Sequence, residues 1–180
     1  MIALPLLFIL GFVPKTMTLD TSAGLSQSNW HGQSMFRSAQ VEIAGRSRLF
    51  RASDIGAAAG YSAIRQPSSW WGHAYGDPDV RVHAGSLYVF VRRERPHGFV
   101  ELGSGPLWST RRVPAACSQF NFETKLGFGL VFARRVRIGY RFSHISNAGL
   151  ARHNPGWNVH TIFLGMMVKE FLNHREHREH

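Results

Sequence analysis

The sequence has one cysteine, few acidic residues and no long apolar run. With Cys117 alone, no intramolecular disulfide can form, and no Cys/His pairing at zinc spacing occurs. No segment reaches the roughly 18 consecutive apolar residues that a membrane-spanning helix needs, which excludes a helical membrane protein. Hydrophobic residues still make up 44% of the 180-residue chain, and it contains 18 glycines and 13 phenylalanines. This composition excludes a disordered tail and favours one domain of β-strands with aromatic faces and tight turns.

Negative charge is scarce, because 11 Asp and Glu oppose 21 Lys and Arg and leave a formal net charge of +10. Such an excess can attract nucleic acid, anionic lipid or a phosphorylated glycan. The arginines occur mostly in pairs, such as Arg92–Arg93 and Arg111–Arg112, and not as a basic tail. No RNP, zinc-finger or helix-turn-helix signature accompanies them, so we expect no nucleic-acid partner.

The two ends of the chain differ from the rest in composition. Residues 1–16 contain a short apolar run with the length of a signal-peptide core, although no basic residue precedes it. A signal peptide is favoured over the alternative, a buried first strand. Residues 172–180 form a tail of His, Arg and Glu, for which a solvated extension is favoured over a metal site. Residues 17–171 are predicted to form a single β-barrel domain.

A period of two runs through the central segments. Over residues 120–133, the even positions are apolar apart from one threonine, and the odd positions begin with polar residues and glycine. Residues 135–147 repeat this, with apolar residues at the even positions up to 142 and arginines among the odd ones. Because side chains alternate between the two faces of a strand, each segment has one apolar face and one polar face. The apolar faces include Phe122, Leu126, Phe128, Leu130, Ile138 and Tyr140.

The length of these segments favours a membrane barrel. A soluble sandwich has the same alternation, but strands of about 12–14 residues exceed the ~5–6 usual in globular sheets, and an unbroken apolar face suits a lipid-facing wall. The fold class is therefore predicted as all-β, an eight-stranded antiparallel transmembrane β-barrel. The predicted strands are residues 17–26, 34–44, 53–64, 79–92, 98–109, 120–133, 135–147 and 157–171.

His144 and Ser146 are the candidate catalytic residues. Being two apart on a strand, they project from the apolar face, where an imidazole and a hydroxyl are costly without a use. An imidazole beside a hydroxyl can take its proton and create a nucleophile for acyl transfer. A strand end that has entered the polar interface remains the alternative explanation.

The run His144-Ile145-Ser146-Asn147-Ala148-Gly149, followed by Asn154-Pro155-Gly156, resembles the lipid A 3-O-deacylase family of Gram-negative outer membranes. The resemblance covers residues 97–171 well and the N-terminal half loosely. It implies an outer-membrane serine esterase that removes the 3-O-linked acyl chain of lipid A in lipopolysaccharide, without metal or cofactor. A homodimer is left open.

The resemblance also assigns roles to individual residues. It implies that Ser146 is the nucleophile and His144 the general base. Asn147 and the backbone N–H of Gly149 are expected to stabilise the oxyanion, since neutral donors suit that task, and Asn154 is expected to shape the adjoining loop.

One position departs from the family pattern. The family's third catalytic residue is a Glu at the position of Asn158, whose side-chain oxygen can accept the Nδ1–H of His144 but supplies no negative charge. The loop 150–156 is expected to fold Asn158 back towards His144. This departure leaves an alternative, a catalytically silent barrel of the same family with a structural or lipopolysaccharide-binding role. A separate and weaker alternative is a soluble basic β-protein that binds polyanions.

Overall fold

The computed structural model describes residues 16–28, 35–50, 53–65, 81–113, 118–133, 135–152, 154 and 156–170. The signal peptide and the C-terminal tail predicted above lie outside these residues, except that Thr16 begins the first strand. The strands are β1 (Thr16–Ser28), β2 (Met35–Phe50), β3 (Ser53–Arg65), β4 (Arg81–Arg95), β5 (Gly98–Val113), β6 (Ser118–Phe132), β7 (Val136–Ser146) and β8 (Trp157–Glu170). No helix in the described part of the chain is long and apolar enough to cross a membrane.

Each strand pairs antiparallel with the next strand along the chain. β1 also pairs with β8, so that the strands follow one another around a closed sheet. The predicted all-β antiparallel class is confirmed, and the bounds of β3, β7 and β8 match the predicted segments to within about one residue at each end.

The alternation in the sequence separates an inner face from an outer face. In β6 the polar residues Asn121, Glu123 and Lys125 are buried, whereas Leu126 and Phe128 are exposed. The same division holds in β7, where Arg137 and Arg141 are buried and Ile138 is exposed. In β6 and β7 most apolar side chains therefore point outward and the charged ones point inward, the reverse of a soluble protein.

Ion pairs fill the middle of the interior. The Glu101 carboxylate accepts two hydrogen bonds from Arg92 and two from Arg141, with Nη2–O distances of 2.5 and 2.6 Å. Asp20 accepts a hydrogen bond from Arg137 at 2.6 Å and a longer one from Arg141. Buried charges need such partners, since an unpaired one costs several kcal/mol. This network ties β1, β4, β5 and β7 together across the interior.

A buried apolar cluster lies behind the ends of β7 and β8. Trp157 and Ile145 are direct partners in the β7–β8 ladder, and both side chains are almost completely buried. They pack with Val82, Leu107 and Val159. Because inward and outward side chains alternate, this cluster fixes the backbone from which Ser146 and Asn158 project outward.

Candidate active site on the outer wall

His144 and Ser146 lie at the end of β7, on the outer face of the sheet. Both side chains are half-buried, whereas Ile145 between them is buried inside. In the β6–β7 ladder, His144 is opposite Thr124 and Ser146 is opposite Phe122. The structure thus places the two residues on the face predicted from their spacing.

Asn158 is the direct partner of His144 in the β7–β8 ladder. Its Oδ1 atom lies 2.8 Å from Nδ1 of His144. With Oδ1 as the acceptor, Nδ1 carries the hydrogen, and the lone pair of the imidazole lies on Nε2. The ring is therefore held in the tautomer that a general base requires, by an amide and not by a carboxylate.

Gly156 packs directly against the imidazole. It has a φ of +72°, and a Cβ atom there would lie 2.8 Å from Cε1 and 3.4 Å from Nε2 of His144. Any larger residue would strain the backbone and also displace the ring. Both the backbone conformation and the contact with the imidazole therefore require glycine at this position.

A tight turn follows Ser146. Its central residues, Ala148 and Gly149, have φ values of 51° and 83°, and the Leu150 N–H donates to the Asn147 carbonyl at 3.0 Å. This combination is typical of a type I′ turn, in which glycine suits the second central position. The turn reverses the chain immediately after the candidate nucleophile.

The predicted oxyanion and loop residues meet within this turn. The Gly149 N–H donates to Oδ1 of Asn147 at 2.9 Å, and the Asn147 N–H donates to Oδ1 of Asn154 at 3.0 Å. Asn147 is completely buried, whereas Gly149 and Asn154 are exposed. Asn154 thus accepts a hydrogen bond from the backbone of the turn, and its loop-shaping role stays a prediction. The oxyanion role of Asn147 and Gly149 stays a prediction, since the Gly149 N–H is engaged by Asn147 in this conformation.

A second imidazole lies nearby on the outer face. The His160 ring packs edge-on against Phe142 at 5.3 Å, and its Nδ1 is hydrogen-bonded to the Tyr140 hydroxyl. His160 is thus held by residues other than His144. Among the described residues, no group of three or more His, Cys, Asp or Glu could hold a metal ion.

An apolar groove of about 750 Å³ runs along the same wall, on the side of the short β4–β5 and β6–β7 turns. Tyr140 and Ile162 line the end of the groove that is nearest to the candidate site, and Arg93 and Arg95 line its other end. Gly98 is opposite Arg95 in one ladder and opposite Leu130 in the other. Because Gly98 has no side chain to fill the space between these two residues, the groove is open there.

The sequence indicated the His–Ser pair but not how its partner approaches. The loop 150–156 was expected to fold Asn158 back towards His144, and the structure adds that the two residues are direct cross-strand neighbours. The strand register decides this contact, and the alternation pattern leaves that register open. The contact of Gly156 with the ring had one signal in the sequence, the Asn-Pro-Gly turn.

The fold and this site define a β-barrel protein with a serine–histidine pair on its outer wall. The family model described as lipid A 3-O-deacylase (PagL) matches residues 14–167. The chain therefore belongs to the lipid A 3-O-deacylase family.

Individual relatives support this membership over shorter stretches. The chain is 29% identical over 98 residues to lipid A deacylase PagL of Bordetella bronchiseptica, covering 51% of this chain and 53% of that protein. It is 44% identical over 68 residues to lipid A deacylase PagL of Pseudomonas aeruginosa, covering 36% and 39%. The matched regions thus span about half or less of the length of these relatives.

The crystal structure of the outer membrane enzyme PagL is similar in fold. It aligns with a TM-score of 0.60 at 17% identity, over 83% of this chain and 98% of that one. At this identity the likeness shows the fold alone.

Proposed function

We propose that this chain is an outer-membrane serine esterase that removes the 3-O-linked acyl chain from lipid A. The observation that carries the proposal is the hydrogen bond between His144 and Asn158 beside Ser146, on a largely apolar outer wall. An orienting partner, a base and a hydroxyl are the parts that a nucleophilic hydrolase needs. Membership in the lipid A 3-O-deacylase family supports the substrate.

The connections between the strands support a position in the outer membrane as an eight-stranded transmembrane barrel. They are short at one end of the sheet (residues 51–52, 96–97 and 133–135) and mostly longer at the other (29–34, 66–80, 114–117 and 147–156). Outer-membrane barrels have short periplasmic turns and longer extracellular loops. The site at the start of the 147–156 connection would then face the outer leaflet, where lipid A resides.

The reaction that we propose proceeds through an acyl-enzyme. The Ser146 hydroxyl attacks the ester carbonyl while its proton passes to Nε2 of His144. The tetrahedral intermediate collapses, and the sugar 3-oxygen leaves with that proton. Water, activated by the same imidazole, then releases the fatty acid and restores Ser146. The outer-wall groove beginning at Tyr140, about 13 Å along β7 from His144 at ~3.3 Å per residue, would receive the acyl chain.

Asn158 favours a second candidate function. A neutral amide orients His144 but does not offset the positive charge that the imidazole gains during the reaction. A chain without that charge could serve instead as a catalytically silent barrel that binds lipopolysaccharide. The proposal of activity rests on the retained orientation of the ring.

Mass spectrometry of lipid A separates the two candidates. Cells that make the full-length protein should accumulate lipid A that lacks the 3-O-linked acyl chain, whereas cells that make Ser146→Ala at equal outer-membrane levels should not. Unmodified lipid A in both strains, with the barrel folded, would support the silent barrel.

A further inference from the structure

Two hydroxyl side chains lie on the outer wall next to the candidate active site. Ser104 Oγ and Thr124 Oγ1 are 3.0 Å apart and both residues are exposed. Their strand neighbours on the side of the short turns, Leu102 and Leu126, are 57% and 47% exposed. The hydroxyl pair is thus a polar interruption in an apolar surface.

Aromatic side chains flank the pair on the loop side. Phe120 contacts both Trp108 and Phe122, with ring centroids 5.9 and 5.3 Å apart. Aromatic rings of this kind form girdles at the membrane interface. Ser104 and Thr124 lie further from the loops than these rings, which places them within the apolar band of the proposed barrel.

The strand register joins the pair to the active site. Ser104 is opposite Thr124, Thr124 is opposite His144, and His144 is opposite Asn158. All four side chains point outward and form one row across β5 to β8. Neighbouring strands are ~4.8 Å apart, so the hydroxyls lie about 5–10 Å to one side of the imidazole.

One of the two hydroxyl hydrogens in this pair has no acceptor among the described residues. Two hydroxyls carry two hydrogens, and their mutual bond uses one of them. The structure shows no other partner for either hydroxyl within its described part. In an apolar band an unused donor is costly, because lipid tails offer no acceptor.

We propose that Ser104 and Thr124 bind the carbonyl oxygen of a second acyl linkage, an ester or amide, on the same lipid whose ester is cleaved at Ser146. This inference rests on the proposed function and names a further binding site for its substrate. A neutral O–H donor below the interface suits a carbonyl, whereas a phosphate would be better served by arginine. The site therefore selects lipids that carry acyl linkages on neighbouring sugar positions.

The experiment compares two ligands that share the scissile ester. One is multiply acylated lipid A, and the other is a glucosamine carrying a single 3-O-linked acyl chain. Binding is measured in Ser146→Ala protein in matched micelles, and turnover is measured in protein that retains Ser146. The test variant is Thr124→Val with Ser104→Ala, and the control is Thr21→Val, an exposed threonine on β1 outside the row.

The test variant should raise Kd and KM for multiply acylated lipid A by roughly 3- to 10-fold, the usual worth of one hydrogen bond. Both values for the single-chain compound should stay unchanged, as should all values of the control. An equal loss with both compounds would mean a merely structural role and would overturn the inference, as would no loss with either. Absence of turnover with normal binding would instead contradict the proposed esterase, and the binding results would still decide the role of the hydroxyls.

Discussion

The Nδ1 atom of His144 lies 2.8 Å from Oδ1 of Asn158, its direct cross-strand partner. The pair sits on the outward face of the sheet, where the next outward side chains are Phe142 on β7 and His160 on β8. In this surrounding an amide orients the imidazole without adding a charge. The chemistry of the site therefore depends on how much a carboxylate would add at residue 158.

We expect Asn158→Glu to raise the rate of ester cleavage by about tenfold or more. A carboxylate would keep the hydrogen bond to Nδ1 and also stabilise the imidazolium; in a serine protease triad, the opposite change, from carboxylate to amide, costs about 10⁴-fold. Single-turnover release of fatty acid from lipid A in detergent micelles measures the effect. Asn158→Leu should lower the same rate, because it removes the acceptor. An unchanged or slower rate for the Glu variant, with the barrel folded, would mean that the site works best with an amide.

Ser146→Ala and His144→Ala should each reduce deacylation by at least about a thousandfold, and the double variant should lose little more. Residues that act as one unit show this non-additivity, because either loss already removes the nucleophilic step. The measurement is the rate of deacylation of lipid A by each variant, divided by the folded fraction. Electrophoresis of unheated samples gives that fraction. Activity that persists in Ser146→Ala would place the nucleophile elsewhere.

The fold followed from the sequence further than the site did. The alternation over residues 120–133 predicts the two faces of β6, and the structure places Glu123 and Lys125 inside and Leu126 outside. The ion pairs between residues far apart in the sequence could not be predicted from the alternation. Glu101 and Arg141 lie 40 residues apart, and they meet because the strand register places both of them opposite Gly127, one from β5 and the other from β7.

For the site, local spacing was sufficient to predict a shared face but insufficient to predict contacts between strands. His144 and Ser146 share a face because they are two apart on a strand. The row from Ser104 to Asn158 depends on the register of four strands, which the turns and the buried face determine. Hence the hydroxyl pair gave no signal in the sequence.

The outward face of β6 should tolerate charge poorly. We expect Phe128→Arg to lower the free energy of unfolding in lipid bilayers by about 2–4 kcal/mol, the cost of arginine within the apolar band. Leu150→Arg is the matched control, since Leu150 is an exposed apolar residue in the β7–β8 connection and should cost at most about 1 kcal/mol. Denaturant titration in bilayers provides both values. Equal costs would argue against burial of Phe128 in lipid.

The glycines that flank the site allow backbone strain to be separated from displacement of His144. Gly149 and Gly156 both have positive φ, so alanine at either position should cost about 1–2 kcal/mol of stability. At Gly149 the added methyl group meets nothing within 4 Å, whereas at Gly156 it would lie 2.8 Å from Cε1 of His144. The two variants should therefore be similar in stability and different in catalysis.

We expect Gly156→Ala to lower kcat by about a hundredfold, because a small displacement of a reacting group costs about that much. Gly149→Ala keeps its backbone N–H and should lose much less. Unfolding midpoints and kcat for lipid A, measured on both variants in the same micelles, test this difference. A chemical shift change at the His144 ring in Gly156→Ala alone would identify the displaced group. If both variants lost activity equally, strain in the 147–156 connection would explain the loss, and the contact between Gly156 and the imidazole would have no separate role.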